Sequence, residues 1–338
     1  LVQGRKRDLR GSLVSWDVLM ADQQLVVVAL GGNAITSPDE PGNVYQQFAN
    51  SRLAARQLAD LIEAGHQLTI THGNGPQIGN FLLRNEAAAE QIYPLPMEVA
   101  EAHVQGGMGF MIAQTLTNEL AGRGIDRVVT AVITTVLVHQ SDPSFDKPTK
   151  PIGRILSQVE ANRCTEEEGW HIKEVSHGKY RRVVPSPIPQ RILEIEHIRR
   201  AVGAGELLVA CGGGGVPVVN NPQVGLTGVR AVIDKDLAGA LLATELRADA
   251  MLILTNVDHV KLGFGTPDER PVDTMTVEQA QRWLDEGQFP AGSMGPKIQG
   301  AANFLRACDN PHAHVIIGPL DRAADAVAGR IGTRIIKT

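Results

Sequence analysis

The sequence predicts an open α/β fold in which a mainly parallel sheet lies between helices on both faces. Short β-branched stretches that are apolar on both faces, such as Leu25–Leu30, are typical of strands buried inside a parallel sheet. Glycine-rich turns end several of these stretches, and helical patterns come after them. This recurrence of strand, loop and helix along 338 residues favours one large α/β domain or two smaller ones.

A local signal supports each element in turn. A first helix is predicted at about 44–64, where apolar residues recur at helical spacing and Gly65 suits the C-terminal end. The next strand, at about 67–71, stops at a loop in which Pro76 suits the first turn of the following helix. Later helices are predicted at about 97–121, 190–202, 234–247, 277–286 and 296–308. Later strands are predicted at about 127–138, 251–255, 314–317 and 333–337, and a further strand begins at 207.

Two segments depart from this alternation. Residues 141–189 hold six prolines and several charged patches, which predicts an inserted subdomain or lid protruding from the sheet. Residues 1–19 carry four basic residues, and Asp17 interrupts their apolar stretch, so they lack the apolar core of a signal peptide. We expect them to be an extension outside the fold.

Composition excludes several classes of function. Lysine and arginine number 32 against 37 aspartates and glutamates, a net charge of −5, which offers no basic surplus for nucleic acid or an anionic membrane. No stretch reaches the roughly 18 apolar residues of a membrane span. Cys164, Cys211 and Cys308 are widely spaced and form no CxxC pair, which argues against a disulfide framework or a structural zinc site. A cytoplasmic protein is expected.

Three glycine-rich loops are the first candidates for a binding site. Gly31-Gly32-Asn33, Gly73-Asn74-Gly75 and Gly212 to Gly215 each follow a predicted strand, and we expect each to open a helix. Such loops expose backbone N–H groups to an anion, although any one of them alone is more often a tight turn. A dehydrogenase would need GxGxxG after the first strand and a P-loop kinase GxxxxGK[ST], and both motifs are missing.

Three lysines are the second group of candidates. Of the 32 basic residues only nine are lysine, and Lys150, Lys235 and Lys297 lie in rigid or helix-opening contexts. A compact ammonium group suits a phosphoryl group that moves during transfer. Each lysine could equally be a solvated residue beside a helix cap. Asp234 could be only an N-cap, but its position beside Lys235 near a glycine-rich region favours a role with a metal-nucleotide complex.

Longer motifs resemble the carbamate kinases of the amino acid kinase superfamily over about residues 20–338. They are LGGNA, HGNGPQIGN, DPSF with PTKPIG, RRVVPSP, CGGGGVPVV, AVIDKDLA, LTNVD and GSMGPK, in chain order from Leu30 to Lys297.

The resemblance implies an αβα sandwich with a protruding subdomain, a homodimer, and reversible phosphoryl transfer between ATP and carbamate with Mg²⁺, used in the direction of ATP synthesis. It implies an acceptor lobe at 20–205, which includes the lid, and a nucleotide-binding lobe at 206–338. The implied catalytic residues are Lys150, Lys235, Lys297 and Asp234. The implied acceptor and phosphate residues are Gly31, Gly32, Asn33, Gly73, Asn74 and Gly75, and the implied nucleotide residues are Gly212, Gly213, Asp236, Asn256 and Asp258.

Some positions differ from related families or from the usual pattern. Acetylglutamate kinases carry a catalytic lysine where this chain has Ala29, so the lid lysine, Lys150, is expected to supply that charge. Within the predicted lid, Arg154-Ile155 and the segment 176–179 depart from the carbamate kinase pattern.

No general base is expected, because carbamate attacks through an oxygen that is already anionic. His72 is therefore read as a loop-stabilising side chain and Cys211 as a small buried apolar residue. Two alternatives stay open at this point: a related kinase of another small carboxylate or phosphate, and a nucleotide-binding sensor without catalysis.

We predict that the acceptor site accepts carbamate, or an acid as small as acetate, and rejects N-acetylglutamate. With Ala29 in place of a first-strand lysine, the sequence offers no second anion contact for a longer acceptor. A small anion also makes few contacts, at a limit of roughly 1.5 kcal/mol per heavy atom. ADP formation measured over a panel of acceptors tests this. Efficient turnover of N-acetylglutamate, or micromolar affinity for carbamate alone, would contradict it.

Overall fold

The computed structural model describes residues 23–32, 35–36, 42–290 and 292–338. The extension expected at residues 1–19 lies outside the described residues. The strands are β1 (Leu25–Leu30), β2 (Gln67–His72), β3 (Val129–Ala131), β4 (Thr135–Val138), β5 (Lys150–Leu156), β6 (Ile172–Ser176), β7 (Lys179–Val184), β8 (Pro189–Ile192), β9 (Leu207–Val209), β10 (Val216–Asn221), β11 (Gly225–Gly228), β12 (Ala250–Thr255), β13 (Val260–Leu262), β14 (Arg270–Val272), β15 (Thr274–Thr276), β16 (His314–Pro319) and β17 (Thr333–Ile336). The helices are α1 (Val44–Glu63), α2 (Gly75–Ala87), α3 (Met97–Gly122), α4 (Gln158–Glu168), α5 (Ile195–Gly203), α6 (Lys235–Leu246), α7 (Val277–Asp285), α8 (Met294–Ala307) and α9 (Ala323–Val327).

An eight-stranded sheet forms the centre of the fold, in the order β15-β17-β16-β12-β1-β2-β9-β3. Its strand pairs are parallel except for β16 with β17. Leu30, the last residue of β1, is level with His72 of β2 and with Leu254 of β12. The loops that come after these three strands therefore meet at one edge of the sheet, where ligands bind in open α/β folds.

The central strand is buried on both faces, as its sequence predicts. Val27 and Ala29 pack into one apolar cluster, which includes residues of α5, α6, α7 and α8. Val26, Val28 and Leu30 pack into a second cluster with residues of α1, α2, α3 and α9. Two helical layers thus cover the sheet, and the predicted αβα architecture is confirmed. No helix in the described part of the chain combines the length and apolar character that a membrane crossing requires.

Three sequence predictions about local structure are wrong. The strand expected at 127–138 is two short strands, because the chain turns between Val132 and Thr134. There Thr134 N–H donates to Gln105 Oε1 at 2.5 Å and its hydroxyl donates to the carbonyl of Val132 at 3.0 Å. The second of these strands, β4, joins β8, β10 and β11 in a separate four-stranded sheet.

The other two wrong predictions each placed a helix where the chain forms a strand. The loop at Gly212 to Gly215 opens no helix; it forms a 3-10 turn and leads into β10. The helix predicted at about 190–202 begins only at Ile195, because the four residues of β8 come first and pair with β4.

A third sheet, β5-β7-β6, lies within the proline-rich segment and packs with α4. It meets the main body where α2 crosses β5. A Cβ atom placed on Gly79 of α2 would lie 2.8 Å from the Cα of Gly153, closer than such atoms approach in proteins. The glycine at position 79 therefore permits the contact between the small sheet and the main body.

We expect opposite effects from two glycine-to-alanine changes in helices. Gly107→Ala on α3 should raise the stability by about 0.5–1 kcal/mol, because no described atom lies within 4 Å of the new methyl group and the helix loses a flexible residue. Gly79→Ala should lower it by about 1–3 kcal/mol through overpacking. Denaturant unfolding of both variants measures the two changes. Stabilisation by Gly79→Ala would mean that α2 and β5 do not approach as described.

Candidate active site

A cleft of about 430 Å³ opens at the carboxyl edge of the central strands. Its walls come from the loops after β1, β2 and β12, the start of β5 and the first turns of α6 and α8. Its lining includes Gly31, Gly32, Gly73, Asn74, Gly75, Pro76, Lys150, Arg181, Gly213, Asp234, Lys235, Asp236, Thr255, Asn256, Gly292, Ser293, Pro296 and Lys297.

Lys150 enters the cleft from the small sheet and binds a residue of the main body. Its Nζ atom lies 2.5 Å from Oδ2 of Asp234. Asp234 is the N-cap of α6, and its other oxygen accepts from the N–H of Asp236 at 2.9 Å. The N-cap role considered for Asp234 from sequence is therefore correct, and the same side chain also binds Lys150 of the small sheet.

Asp236 lies between the other two lysines. Its Oδ1 is 2.6 Å from Nζ of Lys235 and its Oδ2 is 2.9 Å from Nζ of Lys297. Burial alone would raise the pKa of Asp236, but the charges and hydrogen bonds of the two ammonium groups lower it to about 2. Burial, and then repulsion by Lys235, lower the pKa of Lys297. One carboxylate thus holds two cations close together in a buried site.

Glycines allow the loops to approach these side chains. A Cβ atom on Gly73 would lie 2.6 Å from Cδ of Lys235, so the lysine stem lies directly on the loop backbone. A Cβ on Gly213, whose φ is +67°, would lie 2.1 Å from Nδ2 of Asn74. Only a residue without a side chain fits at these two positions.

His72 and Cys211 lie behind the loops, fully buried. Burial lowers the pKa of His72 to about 4, although its contact with the carbonyl of Gly73 opposes this. Burial also raises the pKa of the Cys211 thiol. At neutral pH both side chains are uncharged, and neither lines the cleft. Their positions fit the sequence interpretation of His72 as a loop-stabilising side chain and of Cys211 as a small buried apolar residue.

Most of the predicted site residues meet in this cleft. Twelve of them line it: Gly31, Gly32, Gly73, Asn74, Gly75, Lys150, Gly213, Asp234, Lys235, Asp236, Asn256 and Lys297. Gly212 lies against His72 and lines a neighbouring cavity instead. Asp258 is exposed and does not line the cleft. Asn33 lies outside the described residues.

Two charged residues near the cleft, Arg181 and Glu101, were not singled out from sequence. Arg181 lines it, and its guanidinium donates to the carbonyl of Gly153 at 3.1 and 2.7 Å. It stands in the motif RRVVPSP, so the motif was the available signal. Glu101 lies on α3 and accepts from the side chain of Asn74. Its position in the sequence carries no signal, since it falls within a long apolar helix.

Comparisons with known proteins agree with this geometry. A model of the amino acid kinase family matches residues 24–317. A carbamate kinase of Pyrococcus horikoshii is 44% identical over 313 residues, which cover 92% of this chain and 98% of that protein. One from Clostridium perfringens is 42% identical over 315 residues, covering 92% and 99%. A structure of carbamate kinase from Giardia lamblia bound to AMP-PNP is 36% identical, with a TM-score of 0.86 and coverage of 94% and 100%.

Asp236→Asn should destabilise the protein by about 3–5 kcal/mol at pH 7, because it removes the charge shared by the largely buried ammonium groups of Lys235 and Lys297, which are 17% and 11% exposed. Folding lowers the pKa of Asp236 below its value of 3.8 in the unfolded chain. Its contribution is therefore fully present above about pH 4 and fades as the pH falls toward 2. Denaturant unfolding across this pH range measures the difference between variant and parent.

Asp325→Asn is the matched control for this change. Asp325 also binds two cationic side chains, Arg322 and Arg330, but on the surface, where an ion pair contributes little. An equal loss of stability in the two variants would refute the role given to Asp236.

Proposed function

The chain belongs to the amino acid kinase family, and we propose that it is a carbamate kinase, which transfers a phosphoryl group reversibly between ATP and carbamate. This assignment rests on one observation. Lys150, Lys235 and Lys297 lie together with two aspartates, Asp234 and Asp236, at the carboxyl edge of the sheet. Carbamate kinases from other organisms match the chain over nearly its whole length.

The cleft suits two anionic reactants. Three ammonium groups against two carboxylates leave one positive charge in excess, and Arg181 adds another. Each ammonium group has three N–H donors and spends one on an aspartate in the pairs described, so donors remain for phosphoryl oxygens. The N–H groups of Gly31 and Gly73 donate to the carbonyls of Leu254 and Leu30. The other N–H groups of the loops after β1 and β2 would add neutral donors at the same edge. The site can therefore neutralise charge on the transferred group without reorganisation.

The chemistry needs no base from the protein. In one direction carbamate attacks the γ-phosphate through an anionic oxygen, and in the other the β-phosphate oxygen of ADP attacks carbamoyl phosphate. Both nucleophiles carry their charge already, so catalysis consists of alignment and charge neutralisation. The position of His72 agrees with this, because its side chain is fully buried and does not line the cleft. Carbamoyl phosphate is a reactive acyl phosphate, so we propose ATP synthesis as the working direction.

We propose a division of the cleft between the two substrates. Gly31, Gly32, Gly73, Asn74 and Gly75 would hold the acceptor and the transferred phosphoryl group, from the loops after β1 and β2. The nucleotide would lie toward the residues after β12 and the starts of α6 and α8. Lys150 would reach the reacting phosphate from the lid. It would replace the first-strand lysine of acetylglutamate kinases, where this chain has Ala29. This division supports the two proposed lobes at residues 20–205 and 206–338.

We propose Mg²⁺ as the companion of ATP. Among the described residues, no group of three or more histidine, cysteine or acidic side chains could hold a metal ion. Asp234 and Asp236 are both bound to lysines. This donor set fits an ion carried by the nucleotide phosphates with water in its shell, and does not fit one held by protein alone. Bound with the nucleotide, the ion would neutralise phosphate charge.

We also propose a homodimer. β3 is the last strand of the main sheet, and the side chains around it are apolar and exposed: Val128 by 70%, Ile133 by 52% and Phe110 of the neighbouring α3 by 57%. An apolar sheet edge of this kind is a common site of association. A second copy of the chain would cover it. The proposed location is the cytoplasm, because all three cysteines are free and buried.

The test of the function is ATP formation from ADP and carbamoyl phosphate, with three lysine variants beside the parent. Lys235→Ala and Lys297→Ala should each lower kcat by about 10² to 10⁴, because each removes one preorganised charge among several. Lys150→Ala should lower kcat and leave ADP affinity nearly unchanged, because the lid lysine does not hold the nucleotide. Lys173→Ala, on the exposed β6 of the same small sheet, is the matched control and should retain full activity.

Two outcomes would contradict these assignments. A folded parent protein that forms no ATP from carbamoyl phosphate would refute the function. Unchanged turnover in both Lys235→Ala and Lys297→Ala would mean that the phosphate site lies elsewhere.

A further inference from the structure

A buried carboxyl group lies directly behind the second glycine loop. Glu101 on α3 is 2% exposed. Its Oε2 accepts a hydrogen bond of 2.6 Å from Nδ2 of Asn74, and its Oε1 has no hydrogen-bond partner among the described residues. A carboxyl group with one unpartnered oxygen is costly to bury, and packing alone would favour an apolar residue at this point of the helix.

Gln105, the next polar residue on the same face of α3, has a structural role that Glu101 does not share. Gln105, one helical turn later, accepts from the N–H of Thr134 and donates to its carbonyl, so it satisfies the backbone at the turn between β3 and β4. Glu101 has no backbone partner of this kind among the described residues. Its one described hydrogen bond goes to a side chain of the loop that lines the cleft.

Glu101 and the third glycine loop enclose the Asn74 side chain. Gly213 lies so close that a Cβ atom there would be 2.1 Å from Nδ2 of Asn74. Asn74 does not cap α2 with its side chain, although it stands at the N-cap position. The Asn74 amide is therefore held by Glu101 on one side and by the backbone of Gly213 on the other, at the edge of the cleft.

The electrostatic surroundings of Glu101 favour its uncharged form. Burial raises its pKa to about 8, against the opposing effects of the Asn74 hydrogen bond and of Lys150. Lys150 itself is paired with Asp234. The other titratable groups on the neighbouring elements either contact residues other than Glu101 or are uncharged. Glu98 lies against Gly228, His103 against Phe81 and Glu86 against Arg182. Asp60 and Glu63 pair with Arg123, and burial keeps His72 uncharged.

We propose that Glu101 is a positioning residue of the phosphoryl-transfer site, which holds the Asn74 amide toward the acceptor in its protonated, uncharged form. The proposal rests on the carbamate kinase function and on the place of Asn74 in it. A protonated carboxyl group keeps one oxygen as an acceptor for Asn74 and adds no negative charge behind the loop. Loss of the proton would place an anion next to the site that must take an anionic phosphoryl group.

The consequence is a pH dependence specific to the acceptor. As Glu101 ionises above about pH 8, the KM for carbamoyl phosphate should rise, approaching tenfold per pH unit, while the KM for ADP changes less. Burial and the charge of Lys235 also lower the pKa of Lys297, in the direction of this pH range. A variant in which residue 101 cannot ionise separates the two groups, because Lys297 remains in both proteins.

The test compares Glu101→Gln, Glu101→Leu and Glu98→Gln with the parent in the direction of ATP formation, from pH 6.5 to 9.5. Glu101→Gln keeps an uncharged acceptor for Asn74, so kcat at pH 7 should stay within about threefold and the alkaline rise in KM should be smaller than in the parent. Glu101→Leu leaves the Asn74 amide unpaired and should lower kcat about tenfold or more. Glu98→Gln, the same change one turn earlier, should keep the parental profile.

A second measurement reports on the proton without activity. Folding raises the pKa of Glu101 above its unfolded value of 4.5, so the parent loses stability relative to Glu101→Gln as the pH rises from about 4.5 to about 8. Unfolding midpoints of both proteins across this range show the difference. The measurement also establishes that Glu101→Leu is folded before its kcat is interpreted.

The results separate failure of the inference from failure of the function. A parent that forms no ATP refutes the function, while the stability comparison still reports whether Glu101 holds its proton. With an active parent, the inference is overturned if Glu101→Gln keeps the parental rise in KM. It is also overturned if Glu101→Gln loses as much activity as Glu101→Leu, or if Glu101→Leu is fully active.

Discussion

Lys235 and Lys297 lie side by side in a buried cleft because the carboxylate of Asp236 stands between them. Without that charge, burial and mutual repulsion would drive both ammonium groups toward water or toward their neutral form. Asp236 and Lys235 belong to the first turn of α6, whereas Lys297 belongs to the first turn of α8. The carboxylate therefore joins two helices as well as two charges. The site depends on the packing of these helices on the same face of the sheet.

The third lysine comes from outside the main sheet, so its position depends on how the small sheet docks. Gly79 and Gly153 let α2 and β5 approach to backbone distance, and the N–H of Val232 donates to the carbonyl of Pro185 at 3.0 Å. These contacts place β5 so that Lys150 meets Asp234. A movement of the small sheet would carry Lys150 with it and leave the Asp236 pair in place. The cleft thus has a part that the main body forms and a part that the small sheet contributes.

Neutral groups form the wall behind the cationic cleft. His72 and Glu101 are both buried, and burial moves the pKa of each toward its uncharged form, downward for the imidazole and upward for the carboxyl group. The glycine loops can lie between them and the lysines because Gly73 and Gly213 carry no side chains. The positive charge of the cleft is consequently not offset from behind, and it remains available to an anionic ligand.

The sequence by itself determined the α/β class, the buried central strand and the choice of Lys150, Lys235 and Lys297 as candidate site residues. Local periodicity, glycine turns and lysine usage, from which these predictions came, are properties of short segments. It also identified the loops at Gly31 and Gly73, since both come directly after short apolar strand patterns. Only the tertiary structure decided the break of the 127–138 segment into strands of two sheets, the strand after Gly215, and the exposed position of Asp258. It alone paired Lys150 with Asp234 and brought Glu101 to Asn74, 27 residues apart. These outcomes depend on hydrogen bonds and ion pairs between distant segments, which no local pattern of residues encodes.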